Sequence, residues 1–202
     1  MNSQSQTPSK ADAVAMGAFV VAGVAIAAWT AWNAGARIAE LVRGADVGVL
    51  VDFMGTPVQA TASGSAVPVA LNSGVVTVPQ LNSGAIAYGV IGQVAFVVTI
   101  ITIVFCLVAL SRQLQRGRVF GRRNTALVMT AGITGLVGFT ASDFFESMLA
   151  NSAMFQLVDG PVEIALLTVD PFTFVLAAFA IAIVGSVFTI GARLQKETEG
   201  LV

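Results

Sequence analysis

Residues 86–110 read IAYGVIGQVAFVVTIITIVFCLVAL, without a single charged side chain, and the run ends at Ser111 and Arg112. A helix crossing a bilayer needs about 20 mostly apolar residues at ~1.5 Å each, so the stretch from Ala85 to Ser111 is long enough to cross. In hydrocarbon a single segment satisfies its own backbone groups only as a helix, which excludes a strand here. Working outward, three further stretches meet the same criterion. Residues 13–36 lie between Asp12 and Arg37 with the core AMGAFVVAGVAIAAWTAW, residues 124–145 carry charge only at Asp143, and residues 171–192 open on Asp170 and Pro171, a cap and first-turn proline. Residues 13–36 read as a permanent anchor: a cleaved signal peptide, with Ala34-Gly35-Ala36 as its small-residue site, fits less well behind Lys10 alone.

Composition agrees. Of 202 residues 56% are apolar and 10% charged, and the mean hydropathy is +0.86, whereas a soluble domain carries roughly 25% charged residues. A net charge of −1 provides no basic footprint for direct nucleic-acid binding and no acidic tail. With no histidine and a lone Cys106, the chain has no Ser-His-Asp triad, no histidine-ligated haem, no His/Cys zinc site and no internal disulfide. Phosphate-loop, dinucleotide and Gly-x-Ser-x-Gly patterns are missing too. The expectation is a non-enzyme without cofactor or metal.

Basic residues set the orientation, because short cytoplasmic loops collect Lys and Arg. The turn at 112–123 holds Arg112, Arg116, Arg118, Arg122 and Arg123 and is therefore expected in the cytosol. Four spans then place the tails at 1–12 and 193–202 on the same side, and the basic count is eight inside to two outside. The fold class expected is an all-α transmembrane four-helix bundle, both termini cytoplasmic. Trp29, Trp32, Phe144, Phe145 and Phe172 fit an interfacial belt or, equally well, helix packing.

The two outer loops, 37–84 and 146–170, complete the expected layout. The first is too long for a plain connection. Val47, Val49, Val51 and Phe53 alternate along one face, and residues 67–71 and 75–78 flank Asn72-Ser73-Gly74, a three-residue hairpin loop by composition. With residues 162–169 as a further strand, both loops are expected to form a small extracytoplasmic β-subdomain of three or four strands; the rival is a mobile Gly/Ser/Thr/Ala-rich loop at 55–66.

The candidate polar cluster is Arg37, Glu40, Arg43, Asp143 and Glu146. The first three share a face of a helix continuing out of span one, and Asp143 and Glu146, at i and i+3, share a side of span three. An ion pair between these carboxylates and Arg37 or Arg43 is expected ahead of a transport role or plain solvation. The glycines at 132, 135 and 138, and at 89 and 92, read as close helix packing ahead of homo-oligomer contacts, and Gln93 as a cross-helix hydrogen bonder. The arginine turn reads as attraction to anionic lipid, ahead of docking a cytosolic partner.

The run Leu114-Gln-Arg-Gly117-Arg-Val-Phe120-Gly-Arg-Arg-Asn124 and the tail from Gly191 to Val202 resemble the Domain of Unknown Function 2975 family of bacterial membrane proteins. The resemblance covers spans two to four, and the first span by layout only. It implies four spans in a bacterial cytoplasmic membrane, no established activity and no catalytic residues to carry over. For some members it also implies a small cytosolic helix-turn-helix regulator encoded alongside. Three functional classes follow: a regulatory or accessory component first, a small transporter or channel subunit using Asp143 and Glu146 second, and a membrane enzyme third.

Overall fold

The computed structural model describes residues 10–62, 65–115, 121–157 and 171–199. They form four helices and one hairpin in the order α1 (Lys10–Arg43), β1 (Ala45–Ala62), β2 (Ser65–Gln80), α2 (Ser83–Gln115), α3 (Arg122–Leu157) and α4 (Pro171–Glu199). All four helices contain stretches long and apolar enough to cross a membrane. At ~1.5 Å per residue α1, α2 and α3 are each about 50 Å long, well beyond the ~30 Å of a hydrocarbon core.

The chain divides into two compact units. The first takes α1 up to Trp32, α2 from Val97, α3 up to Gly138, and α4. Its helices meet where a side chain is missing. A Cβ on Gly132 would stand 2.9 Å from Ile181 of α4, and one on Gly138 would collide with Thr99 of α2. Small residues allow such approach where packing must hold helices together in lipid. Large apolar side chains of this unit face outward, Val21, Phe105 and Phe179 among them, as do Trp29 and Trp32.

The second unit takes α1 from Asn33, the hairpin, α2 up to Phe96 and α3 from Phe139. Its core is made by one face of β1. Val47, Val49 and Val51 are fully buried, with Val78 beside them, against Leu41 of α1, Ala85 of α2 and Leu149, Ala150 and Ala153 of α3. The alternation read from the sequence is the alternation buried. Local chemistry sets the entry angles. Gly44 takes a left-handed φ of 67° and donates to the Leu41 carbonyl at 3.0 Å, ending α1; its own carbonyl accepts from Leu81 at 2.9 Å, closing the base of the hairpin. Asn82 caps α2, its Oδ1 accepting from the Ala85 amide at 2.7 Å.

Two expectations need correction, and the rival reading of an open loop is set aside for the described part of 55–66. Asn72-Ser73-Gly74 is not a hairpin loop: Ser73 pairs with Asp52 and Gly74 with Val51 inside a continuous β2. A turn there would fold 75–78 back on 67–71 and deprive Val47–Phe53 of a partner, whereas the observed register lets Val78 join Val47 in the core. Thr56–Ala62 pair with Ser65–Leu71 as strand rather than forming an open loop. Residues 146–157 are helix, because Leu149, Ala150, Ala153 and Met154 form a buried stripe that carries α3 past its charges. Among the described residues the sheet has two strands; the expected strand at 162–169 lies outside them.

Two substitutions check this account. Gly44→Ala forces a Cβ into the left-handed region and is expected to cost about 1 kcal/mol. Val49→Ala empties a core position and is expected to cost about 2 kcal/mol or more. Thermal unfolding in detergent, followed by circular dichroism, measures both.

Candidate functional site

The second unit contains a cavity of about 590 Å³. Periodicity explains its lining. On α3, Ser142, Asp143, Glu146, Ser147 and Ala150 recur at helical spacing and present one side. On α2, Gln93 and Phe96 stand one turn apart, and β1 contributes Leu50 and Asp52, the face opposite its buried valines. Arg37 reaches in from α1. The ionisable lining is thus one guanidinium against three carboxylates.

Close backbone approach fixes α2 against α3 at this point. The Ser142 hydroxyl donates to the Gly92 carbonyl at 3.1 Å, and a Cβ on Gly92 would sit 3.3 Å from Cβ of Phe145. One turn along, Gln93 Nε2 donates to Glu146 Oε1 at 2.8 Å, the cross-helix bond expected of Gln93. Phe96 packs tilted on Phe139 with ring centroids 5.9 Å apart, and Phe144 meets Phe145 edge-on at 5.5 Å.

The arginines are placed differently from the expected pairing. Arg37 does enter the same cavity as Asp143 and Glu146, but its Nη1 pairs with Glu40 at 2.9 Å and its Nη2 donates to the Gly48 carbonyl at 2.7 Å. The guanidinium is thus taken up by a neighbour one helical turn away and by a strand carbonyl. Arg43 folds back to the Ala39 carbonyl at 3.3 Å. Glu146 is held by an amide rather than a cation, and among the described residues nothing pairs with the Asp143 carboxylate.

Asp52, Ser142 and Ser147 were not singled out as site residues by the sequence. Asp52 was accessible in principle, since the alternation that buries Val49 and Val51 turns Leu50 and Asp52 the other way. Ser142 and Ser147 carry no comparable signal. Of the arginine turn, Arg112, Arg122 and Arg123 are exposed, while Arg116 and Arg118 lie outside the described residues.

Gln93→Leu should remove the bond to Glu146 and lower stability by about 1–2 kcal/mol. In a double-mutant cycle with Glu146→Ala, read by thermal unfolding in detergent, a coupling near zero would show that this bond does not tie α2 to α3.

Comparison with protein-family models, with curated proteins and with solved structures returns no match for this chain.

Proposed function

We propose that the chain is a non-enzymatic, multi-pass protein of a bacterial cytoplasmic membrane whose second unit receives a small ligand outside the cell, in the service of a regulatory or accessory assembly. The polar cavity carries this reading. A concave site of several hundred Å³ with a few convergent polar groups is the usual form of a small-ligand site, and this one is lined from four separate elements.

Membrane placement follows from helix length and charge. The arginines at one end of α2 and the start of α3 favour the cytosolic side. With about 20 residues of each helix in hydrocarbon, the excess of α2 and α3 emerges at the opposite face, together with the hairpin that joins α1 to α2. On that placement both termini are cytoplasmic. The arginine turn faces anionic lipid and a cytosolic partner, for which a small helix-turn-helix regulator is the candidate, and membership of the Domain of Unknown Function 2975 family, supported by residues 114–124, belongs to the same proposal.

A transporter that uses Asp143 and Glu146 has less support. Both sit in the part of α3 assigned to the second unit, and residues 124–142 contain no ionisable side chain to continue a relay toward the arginine turn.

Cysteine accessibility tests the placement. In a Cys106→Ser background, Ser73→Cys is expected to react with a membrane-impermeant maleimide in intact spheroplasts, and Arg123→Cys only after permeabilisation. The opposite pattern overturns the reading.

A further inference from the structure

The charges around the cavity are unevenly matched. Both terminal nitrogens of Arg37 are engaged, one on Glu40 and one on the Gly48 carbonyl. The Ser142 hydroxyl hydrogen is directed to the Gly92 carbonyl, and the Gln93 amide donates to Glu146. What remains unbalanced is charge: three carboxylates, those of Asp52, Asp143 and Glu146, line the cavity against the one guanidinium, and among the described residues no cation pairs with Asp143 or Glu146. A ligand that complements this wall brings N–H groups and positive charge.

Two further observations narrow the class. Among the described residues no three acidic side chains stand close enough together to hold a metal ion, so the negative charge is spread around the cavity rather than focused on one point. Phe96 also lines the cavity, held by its tilted contact with Phe139. An aromatic ring beside dispersed carboxylates is the recognition chemistry of an organic ammonium group, which takes hydrogen bonds and ion pairs on one side and a π-face on the other. The volume of about 590 Å³ is ample for such a molecule.

We propose that this cavity binds the ammonium group of an organic amine, supplied either by a free amine or by the headgroup of an aminophospholipid. The inference rests on the reading of the cavity as the ligand site and specifies what enters it. Leu50 and Ala150 give the carbon skeleton an apolar wall, while Asp143 and Glu146, one turn apart on α3, receive the nitrogen.

The test uses the full chain purified in dodecyl maltoside. Putrescine binding is measured by isothermal titration calorimetry, and retention of phosphatidylethanolamine against phosphatidylglycerol by native mass spectrometry. Wild type is expected to bind at least one of the two amines. Putrescine alone identifies a free amine as the source, and phosphatidylethanolamine alone a lipid headgroup. Asp143→Asn and Glu146→Gln are each expected to weaken that binding about tenfold or more. Asp143 is exposed, and Gln retains an oxygen for the Gln93 bond, so both variants are expected to fold.

Asp46→Asn is the control: Asp46 lies in the same unit but outside the cavity, and its φ of 51° is one that Asn tolerates. Binding of neither amine, unchanged affinity in both cavity variants, or an equal loss in Asp46→Asn would each overturn the proposal. The maleimide pattern is independent of all three outcomes, so a failed ligand assignment and a failed membrane placement are told apart.

Discussion

The second unit depends on the burial of one face of β1. A two-stranded hairpin has no partner sheet and is marginal in water by itself. Here Val47, Val49 and Val51 are removed from solvent by the ends of three helices, and at ~25 cal/mol per Å² each fully buried valine contributes about 1.5–3 kcal/mol. Because strand side chains alternate, fixing the odd positions inward also fixes Leu50 and Asp52 on the other face. The cavity wall is therefore a by-product of the core. Sliding the register by one residue would expose the valines and withdraw Asp52 from the cavity together.

The same economy governs the helices. In α3 the residues that pack, Leu149, Ala150 and Ala153, and the residues that face the cavity, Asp143, Glu146 and Ser147, occupy neighbouring stripes of one helix. Ala150 belongs to both. The closeness of α2 and α3, set by Gly92 and the Ser142 hydroxyl, is what brings Gln93 within reach of Glu146. In the first unit Gly132 and Gly138 serve packing, with Ile181 and Thr99 filling the space that a side chain would need.

How much of this was legible in the sequence varies by physical cause. The four apolar helices were legible because length and lack of charge decide them. The buried face of β1 was legible because a period of two survives any tertiary context. The end of α3 was misplaced because Asp143 and Glu146 mark a limit of hydrophobicity rather than of helix, and α3 continues for as long as Leu149, Ala153 and Met154 have a core to bury against. The hairpin turn was misplaced because Asn72-Ser73-Gly74 has turn composition, while pairing with Val51 and Asp52 outweighs that local preference. The company of Arg37 was legible in part. Its i,i+3 spacing to Glu40 was visible on one helix face, whereas the bond to the Gly48 carbonyl depends on how α1 lies beside β1.

The register of the hairpin breaks once. Asp52 faces Ser73 and Thr56 faces Leu71, so Phe53, Met54 and Gly55 together stand opposite Asn72 alone. The core residues of the hairpin, Val47, Val49, Val51 and Val78, all lie on the base side of this break, whereas Val67 and Val69 beyond it are exposed. The outer arm thus contributes nothing to the buried valine core of the base. Removing or adding residue pairs there changes the length of the hairpin while sparing the wall that holds Asp52.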